Sequence, residues 1–176
     1  TFLQISQAAD HGCALRDDGE VLCWGRNLAG EREPPAGPFI RVMTVSQLSC
    51  GIRPDGTTEC WGKNNSGQAE PPAIEFYNLA FGAYVSTNYM CGLTFGNIEC
   101  WGTDPALTGV IQYAPNGSFE RMSFGSRHAC ALADDGSVQC WGQNGSGQNG
   151  PCSPGNHSVC INNNNLYISN FTYNTR

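Results

Sequence analysis

Residues 126–148 read SRHACALADDGSVQCWGQNGSGQ. Cys130 and Cys140 bracket a polar triplet, Asp134-Asp135-Gly136, with Ala131-Leu132 before it and Val138 after it. A triplet ending in glycine suits a three-residue β-hairpin loop in which the glycine takes the left-handed backbone conformation. Facing partners across an antiparallel hairpin have residue numbers of constant sum, so a loop centred on Asp135 sets Cys130 opposite Cys140. Direct partners have Cβ atoms about 4.5–5.5 Å apart, slightly beyond the disulfide optimum, and modest local twisting closes that gap. The segment predicts two strands, a tight turn and a bridge between them.

The same unit recurs. Cys-Trp-Gly stands at Cys23-Trp24-Gly25, Cys60-Trp61-Gly62, Cys100-Trp101-Gly102 and Cys140-Trp141-Gly142. Each is preceded by a cysteine, a small residue and an aliphatic one: Cys13-Ala14-Leu15, Cys50-Gly51-Ile52, Cys91-Gly92-Leu93 and Cys130-Ala131-Leu132. Loops centred on Asp18 and Asp55, and a two-residue turn at Phe95-Gly96, set Cys13 against Cys23, Cys50 against Cys60 and Cys91 against Cys100. Each unit opens with a phenylalanine and an alternating segment, at Phe2, Phe39, Phe76 and Phe119, which predicts a strand with one buried face. The interval from that Phe to the first Cys is 11, 11, 15 and 11 residues, so the third unit carries an insertion within Ala83 to Tyr89, read as a surface loop. A period of about 40 residues is that of propellers and solenoids. The chain therefore divides into units of about 1–37, 38–74, 75–117 and 118–150, followed by a Cys-bounded loop and Asn-rich tail at 151–176.

Ten cysteines in 176 residues imply full pairing in an oxidising, extracellular compartment. Zinc is the rival reading, but zinc ligands come as Cys pairs two to four residues apart, and these partners stand eight to ten positions apart with a hairpin between them. Cys152–Cys160 remains as a fifth bridge by elimination. Loops this short stabilise the fold by about 2–3 kcal/mol each on the loop-entropy model. A net charge of −6 with scattered Lys and Arg gives phosphates no basic face, which excludes nucleic acid as an expected partner. No apolar run reaches the roughly 20 residues of a membrane span, and no charged-then-apolar leader stands at Thr1, so the segment reads as soluble and processed.

His-x-Cys-Ala-Leu, Asp-Gly, Cys-Trp-Gly and Asn-x-x-Gly-Gln in succession resemble the repeat of the regulator of chromosome condensation superfamily over roughly residues 1–150. That resemblance implies an all-β fold of four-stranded blades, usually closed into a ring of about seven. The short repeats with Glu33-Pro34-Pro35 and Glu70-Pro71-Pro72 connections are also similar to secreted propeller-type β-lactamase inhibitor proteins, and the paired cysteines resemble Crinkly-type receptor kinase ectodomains. No segment matches the wedge that nucleotide exchange requires in the founding member, so exchange activity is not carried over. Trp24, Trp61, Trp101 and Trp141 read as packing residues between blades. Four units leave three possibilities: part of a longer ring, a compact four-bladed ring, or a subunit whose ends other copies cover. Leu166-Tyr167-Ile168-Ser169 reads as the opening strand of another unit.

Signatures of hydrolases, phosphate-binding loops and metalloproteases are absent from the sequence. His11 and His128 share one repeat position, but Leu48 and Tyr89 occupy it in the other units, so a structural role is expected rather than a metal ring. His157 reads as a surface residue. Asp17, Asp18, Asp134 and Asp135 are accounted for by turn chemistry. Sequons stand at Asn64, Asn116, Asn144, Asn156 and Asn170, and those at Asn64 and Asn144 lie in the Asn-x-x-Gly-Gln turn, whose geometry favours Asn by itself. The reading is a non-catalytic, cofactor-free extracellular glycoprotein module, with N-linked glycans, that binds other proteins or further copies of itself as a scaffold. The alternatives are a loop-mediated inhibitor or receptor ectodomain using the 83–89 insertion, and an extracellular glycan-binding or glycan-hydrolysing propeller.

Overall fold

The computed structural model describes residues 1–80, 89–103, 110–111, 113–125 and 127–143, with the strand backbone of Val159–Asn162 and Asn165–Ile168. The first twelve strands form four three-stranded antiparallel sheets, each a meander in chain order. Blade 1 comprises β1 (Phe2–Gln7), β2 (His11–Arg16) and β3 (Val21–Gly25). Blade 2 comprises β4 (Arg41–Val45), β5 (Leu48–Ile52) and β6 (Thr58–Gly62). Blade 3 comprises β7 (Asn78–Ala80), β8 (Tyr89–Leu93) and β9 (Ile98–Gly102). Blade 4 comprises β10 (Phe119–Phe124), β11 (His128–Ala133) and β12 (Val138–Gly142).

The stapled hairpins have the register that the loop centres dictate. Cys13 faces Cys23, Cys50 faces Cys60, Cys91 faces Cys100 and Cys130 faces Cys140. All four pairs are bonded, with Cα atoms 4.0–4.1 Å apart. In the first hairpin the Gly19 amide returns to the Arg16 carbonyl at 3.1 Å, and Gly19 sits at φ +85°. Asp18, Asp55 and Asp135 each use Oδ1 to accept the amide two residues on, from Glu20, Thr57 and Ser137. The shorter third hairpin turns at Phe95-Gly96, with the Thr94 amide bonded to the Asn97 carbonyl at 2.9 Å.

The apolar core lies between blades rather than within them. Cys13, Leu15 and Val21 of blade 1 meet Phe39, Val42 and Trp61 of blade 2. Leu48, Cys50 and Ile52 of blade 2 meet Phe76, Leu79 and Trp101 of blade 3. Tyr89, Cys91, Leu93 and Ile98 of blade 3 meet Phe119, Ala129, Ala131 and Trp141 of blade 4. A three-stranded sheet with two apolar faces cannot bury both alone, so each blade is stable only where a neighbour covers it.

Three expectations are corrected. The blades have three strands among the described residues, not the four that the resemblance implies. Pro34, Pro35, Pro38, Pro71 and Pro72 occupy the connectors where an outer strand would run, and proline offers no N–H to a ladder. The apolar side chains of the opening strand of unit 1 are not buried: β1 leaves Phe2, Leu3 and Ile5 exposed and turns only Gln4 and Ser6 partly inward, whereas Phe39, Val42, Phe76 and Leu79 of units 2 and 3 are buried. The difference is the neighbour, because no blade covers the β1 side of the array among the described residues, which also speaks against a compact four-bladed ring. Leu166–Ile168 belong to β14 (Asn165–Ile168), which closes a hairpin with β13 (Val159–Asn162) instead of opening a fifth blade. Among the described residues no helix is long and apolar enough to cross a membrane.

Candidate interaction surface

Strand alternation gives every blade two faces. In blade 1, Cys13, Leu15 and Val21 point back towards blade 2, while Ile5, Leu22 and Trp24 point forward, away from it. The back face is sewn to blade 2 by side chains that imitate a β-ladder. Gln4 donates to the Val42 carbonyl at 2.9 Å and accepts the Val42 amide at 3.0 Å. Ser6 Oγ accepts the Thr44 amide at 2.9 Å.

A second device links each blade to the connector before it. Asn27 Oδ1 accepts the Arg32 amide, and the Glu31 carboxylate accepts the Leu28 and Ala29 amides, so the turn caps itself. Its outward-facing Glu31 carbonyl then receives the Trp61 indole N–H at 3.0 Å and the Ser49 hydroxyl at 2.9 Å. The pattern repeats with Trp101 donating to the Gln68 carbonyl at 2.9 Å and Trp141 to the Val110 carbonyl at 2.8 Å. These indoles are buried, at 7%, 8% and 0% exposure, while Trp24 is 40% exposed and has no such acceptor among the described residues. Trp24, Phe2, Leu3, Gln4, Ile5 and Ala14 line an open groove of about 400 Å³. Phe2 and Ile5 are 57% and 69% exposed, and Leu22 adds a further exposed apolar side chain. The front face of blade 1 is thus a contiguous apolar surface, the kind that marks an interaction site.

The singled-out polar residues fall elsewhere. His11 is buried at the junction of blades 1 and 2, with Nε2 2.9 Å from Ser49 Oγ. Burial pushes its pKa below the ordinary value, against the opposing pull of the Glu31 carboxylate. Burial likewise raises the Glu31 carboxyl, but the Ala29 and Leu28 amides outweigh it and leave the pKa below the ordinary value. His128 is only half-buried on the back of blade 4. No group of three or more His, Cys, Asp or Glu side chains suited to a metal ion occurs among the described residues. The Asp17 amide donates to the Thr1 carbonyl at 2.9 Å, and the Asp18 carboxylate pairs with Arg16 at 2.6 Å. Asp134 and Asp135 lie on the exposed fourth hairpin tip. Asn64 and Asn116 are exposed. The Asn144, Asn156 and Asn170 sequons, His157, Cys152 with its expected bridge to Cys160, and positions 83–88 of the insertion lie outside the described residues. Sequence reasoning did not single out Gln4, Ser6, Glu31 or Ser49, whose polar roles arise only when two blades meet.

The Regulator of chromosome condensation (RCC1) repeat model matches residues 3–31 and 119–148, the first and fourth units. No curated protein sequence matches the chain. Among solved structures it is similar to the ectodomain of the Physcomitrella patens receptor kinase CR4, at 28% identity and a TM-score of 0.66, over 82% of this chain and 42% of that one. The CRINKLY WD40 ectodomain of the Arabidopsis thaliana receptor kinase ACR4 is similar at 25% identity and a TM-score of 0.61, over 80% of this chain and 49% of that one. Prp20p from Saccharomyces cerevisiae shares the fold at 15% identity and a TM-score of 0.67, over 96% of this chain and 49% of that one. The chain therefore spans a little under half the length of each. Blade geometry, hairpin motifs and these likenesses agree: the first and fourth units match the regulator of chromosome condensation repeat, and the four-blade array is similar in fold to propellers of that type.

Proposed function

We propose that this chain is a non-catalytic extracellular module that binds proteins, including further copies of itself, through the open front face of blade 1. The observation that carries the reading is the exposure of Trp24, 40% against 7%, 8% and 0% for its three counterparts. An uncovered apolar face built on the same template as three buried ones is a binding surface rather than a solvent-adapted one. The likeness to two receptor ectodomains supports a role in protein recognition, and a disulfide in each blade supports an oxidising, secreted setting. The units at about 1–37, 38–74, 75–117 and 118–150 act as the blades, with 151–176 as an appended tail, and N-linked glycans decorate exposed sequons. The test is light scattering on size-exclusion eluates over a concentration series, for wild type and Trp24→Arg. A mass that rises with concentration in the wild type and is suppressed in the variant is expected. Association undiminished by Trp24→Arg would remove the front face from the reading.

A further inference from the structure

The partner that fits the front face of blade 1 is written in the repeat itself. Blade 2 meets blade 1 through Phe39, Val42 and Trp61, and the front face of blade 1 offers Phe2, Ile5 and Trp24, each 37 positions earlier. The back face that receives Phe39, Val42 and Trp61 is made by Ser6, His11, Cys13, Leu15 and Val21. Blade 4 carries the same five residue types on its own back face, at Ser123, His128, Cys130, Leu132 and Val138, each 117 positions on. Blades 2 and 3 lack this identity, since Leu48 and Tyr89 replace the histidine.

Burial distinguishes the two copies of that back face. His11, Cys13, Leu15 and Val21 are 1%, 0%, 2% and 5% exposed, whereas His128, Cys130, Leu132 and Val138 are only half-buried and Ser123 is exposed, even with β13 lying against β12. The two ends of the array are therefore the two halves of an interface that the chain already makes internally, separated onto opposite ends.

We infer that blade 4 of one copy docks its back face, around Ser123, Cys130, Leu132 and Val138, on the front face of blade 1 of a second copy, around Phe2, Ile5 and Trp24, in a head-to-tail contact. The inference rests on the proposed role of the front face and assigns its partner. The contact reproduces the junction of blades 1 and 2. Leu132 and Val138 meet Phe2, Ile5 and Trp24, and Ser123 Oγ accepts the Gln7 amide as Ser6 accepts that of Thr44. One position differs in kind: Gly12 stands where Ser49 does, so His128 finds no hydroxyl there. Such a contact is heterologous, so repetition continues the array from chain to chain, either closing into a ring or extending as a fibre.

Complementary variants test it. Trp24→Arg spoils the front face and leaves the back face intact, and Leu132→Arg does the reverse. Each variant alone should run as a single chain at concentrations where the wild type associates. Their equimolar mixture should give a two-chain species that grows no further, because only one productive contact remains. Ile5→Glu with Val138→Glu provides a second pair, and far-ultraviolet circular dichroism matching the wild type establishes that each variant is folded. A mixture that stays at one chain with both pairs, while the single variants are folded, would overturn the head-to-tail contact. If Trp24→Arg abolishes association but Leu132→Arg does not, the front face binds something other than blade 4, and the inference falls while the proposed function stands.

Discussion

The Trp61 indole donates to the Glu31 carbonyl 3.0 Å away, across the boundary between a connector and the blade that follows it. The same bond recurs at Trp101 and Trp141, so the Cys-Trp-Gly motif is a blade-to-blade fastener as well as a hairpin end.

Removing the indole should discriminate covered from uncovered blades. Trp61→Phe is expected to cost about 1 kcal/mol, because the Glu31 carbonyl keeps the Ser49 hydroxyl. Trp61→Ala is expected to cost about 3–5 kcal/mol through the cavity it leaves. Trp24→Phe, on the open face, should lie within about 0.5 kcal/mol of wild type. Urea midpoints of the three variants, measured at a concentration too low for association, check this ordering.

Acid should loosen the junction of blades 1 and 2 in two stages. His11 is held below its ordinary pKa of 6.5, so the unfolded chain binds its proton first. The stability from neutral His11 is complete above pH 6.5 and declines as the pH falls towards the lower folded value. Glu31 is also depressed, below its ordinary 4.5, so its contribution is present above that pH and is lost as pH falls through the folded value. His11→Gln should flatten the first stage and leave the second. Urea midpoints against pH for both proteins test this, and parallel curves below pH 6.5 would contradict it.

Two glycines with like backbones should respond differently to alanine. Gly19 and Gly136 have φ of +85° and +82°. A Cβ on Gly19 would stand 2.6 Å from Pro38 Cβ, while one on Gly136 meets nothing within 4 Å. Gly136→Ala is expected to cost about 1–2 kcal/mol, the backbone cost alone. Gly19→Ala adds about 1–3 kcal/mol of overpacking against the next connector. Thermal unfolding of the two variants compares them directly.

The two sequons among the described residues are unequal as glycan acceptors. Asn64 Nδ2, the atom a glycan would occupy, already donates to Glu70 at 2.8 Å, and Asn64 Oδ1 accepts the Ala69 amide. Asn116 is exposed at the end of the third unit. Material secreted from a eukaryotic host should carry a glycan at Asn116 and little at Asn64, as read from site-resolved peptide masses after enzymatic deglycosylation in heavy-oxygen water.

Hairpin register was legible in the sequence because it depends on local quantities: the loop centre, a glycine that must turn left-handed, and two cysteines equidistant from both. Blade stacking was legible only in part. Phe2 and Phe39 sit in similar local patterns, yet one is 57% exposed and the other 2%, because the pattern records an apolar face and not whether a neighbour lies against it. Ser49 and Glu31 were hidden for a related reason: each is an isolated polar residue until the connector and the next blade meet. The three-stranded blade departs from the family expectation through proline chemistry that was visible in the Pro34-Pro35 and Pro71-Pro72 pairs.

Mapping the cysteine linkages of the native, unreduced protein bears most directly on the account, since every front and back face is defined by a hairpin clipped to itself. Peptide mass spectrometry should join Cys13 to Cys23, Cys50 to Cys60, Cys91 to Cys100 and Cys130 to Cys140. Linkages between cysteines of different units would contradict it.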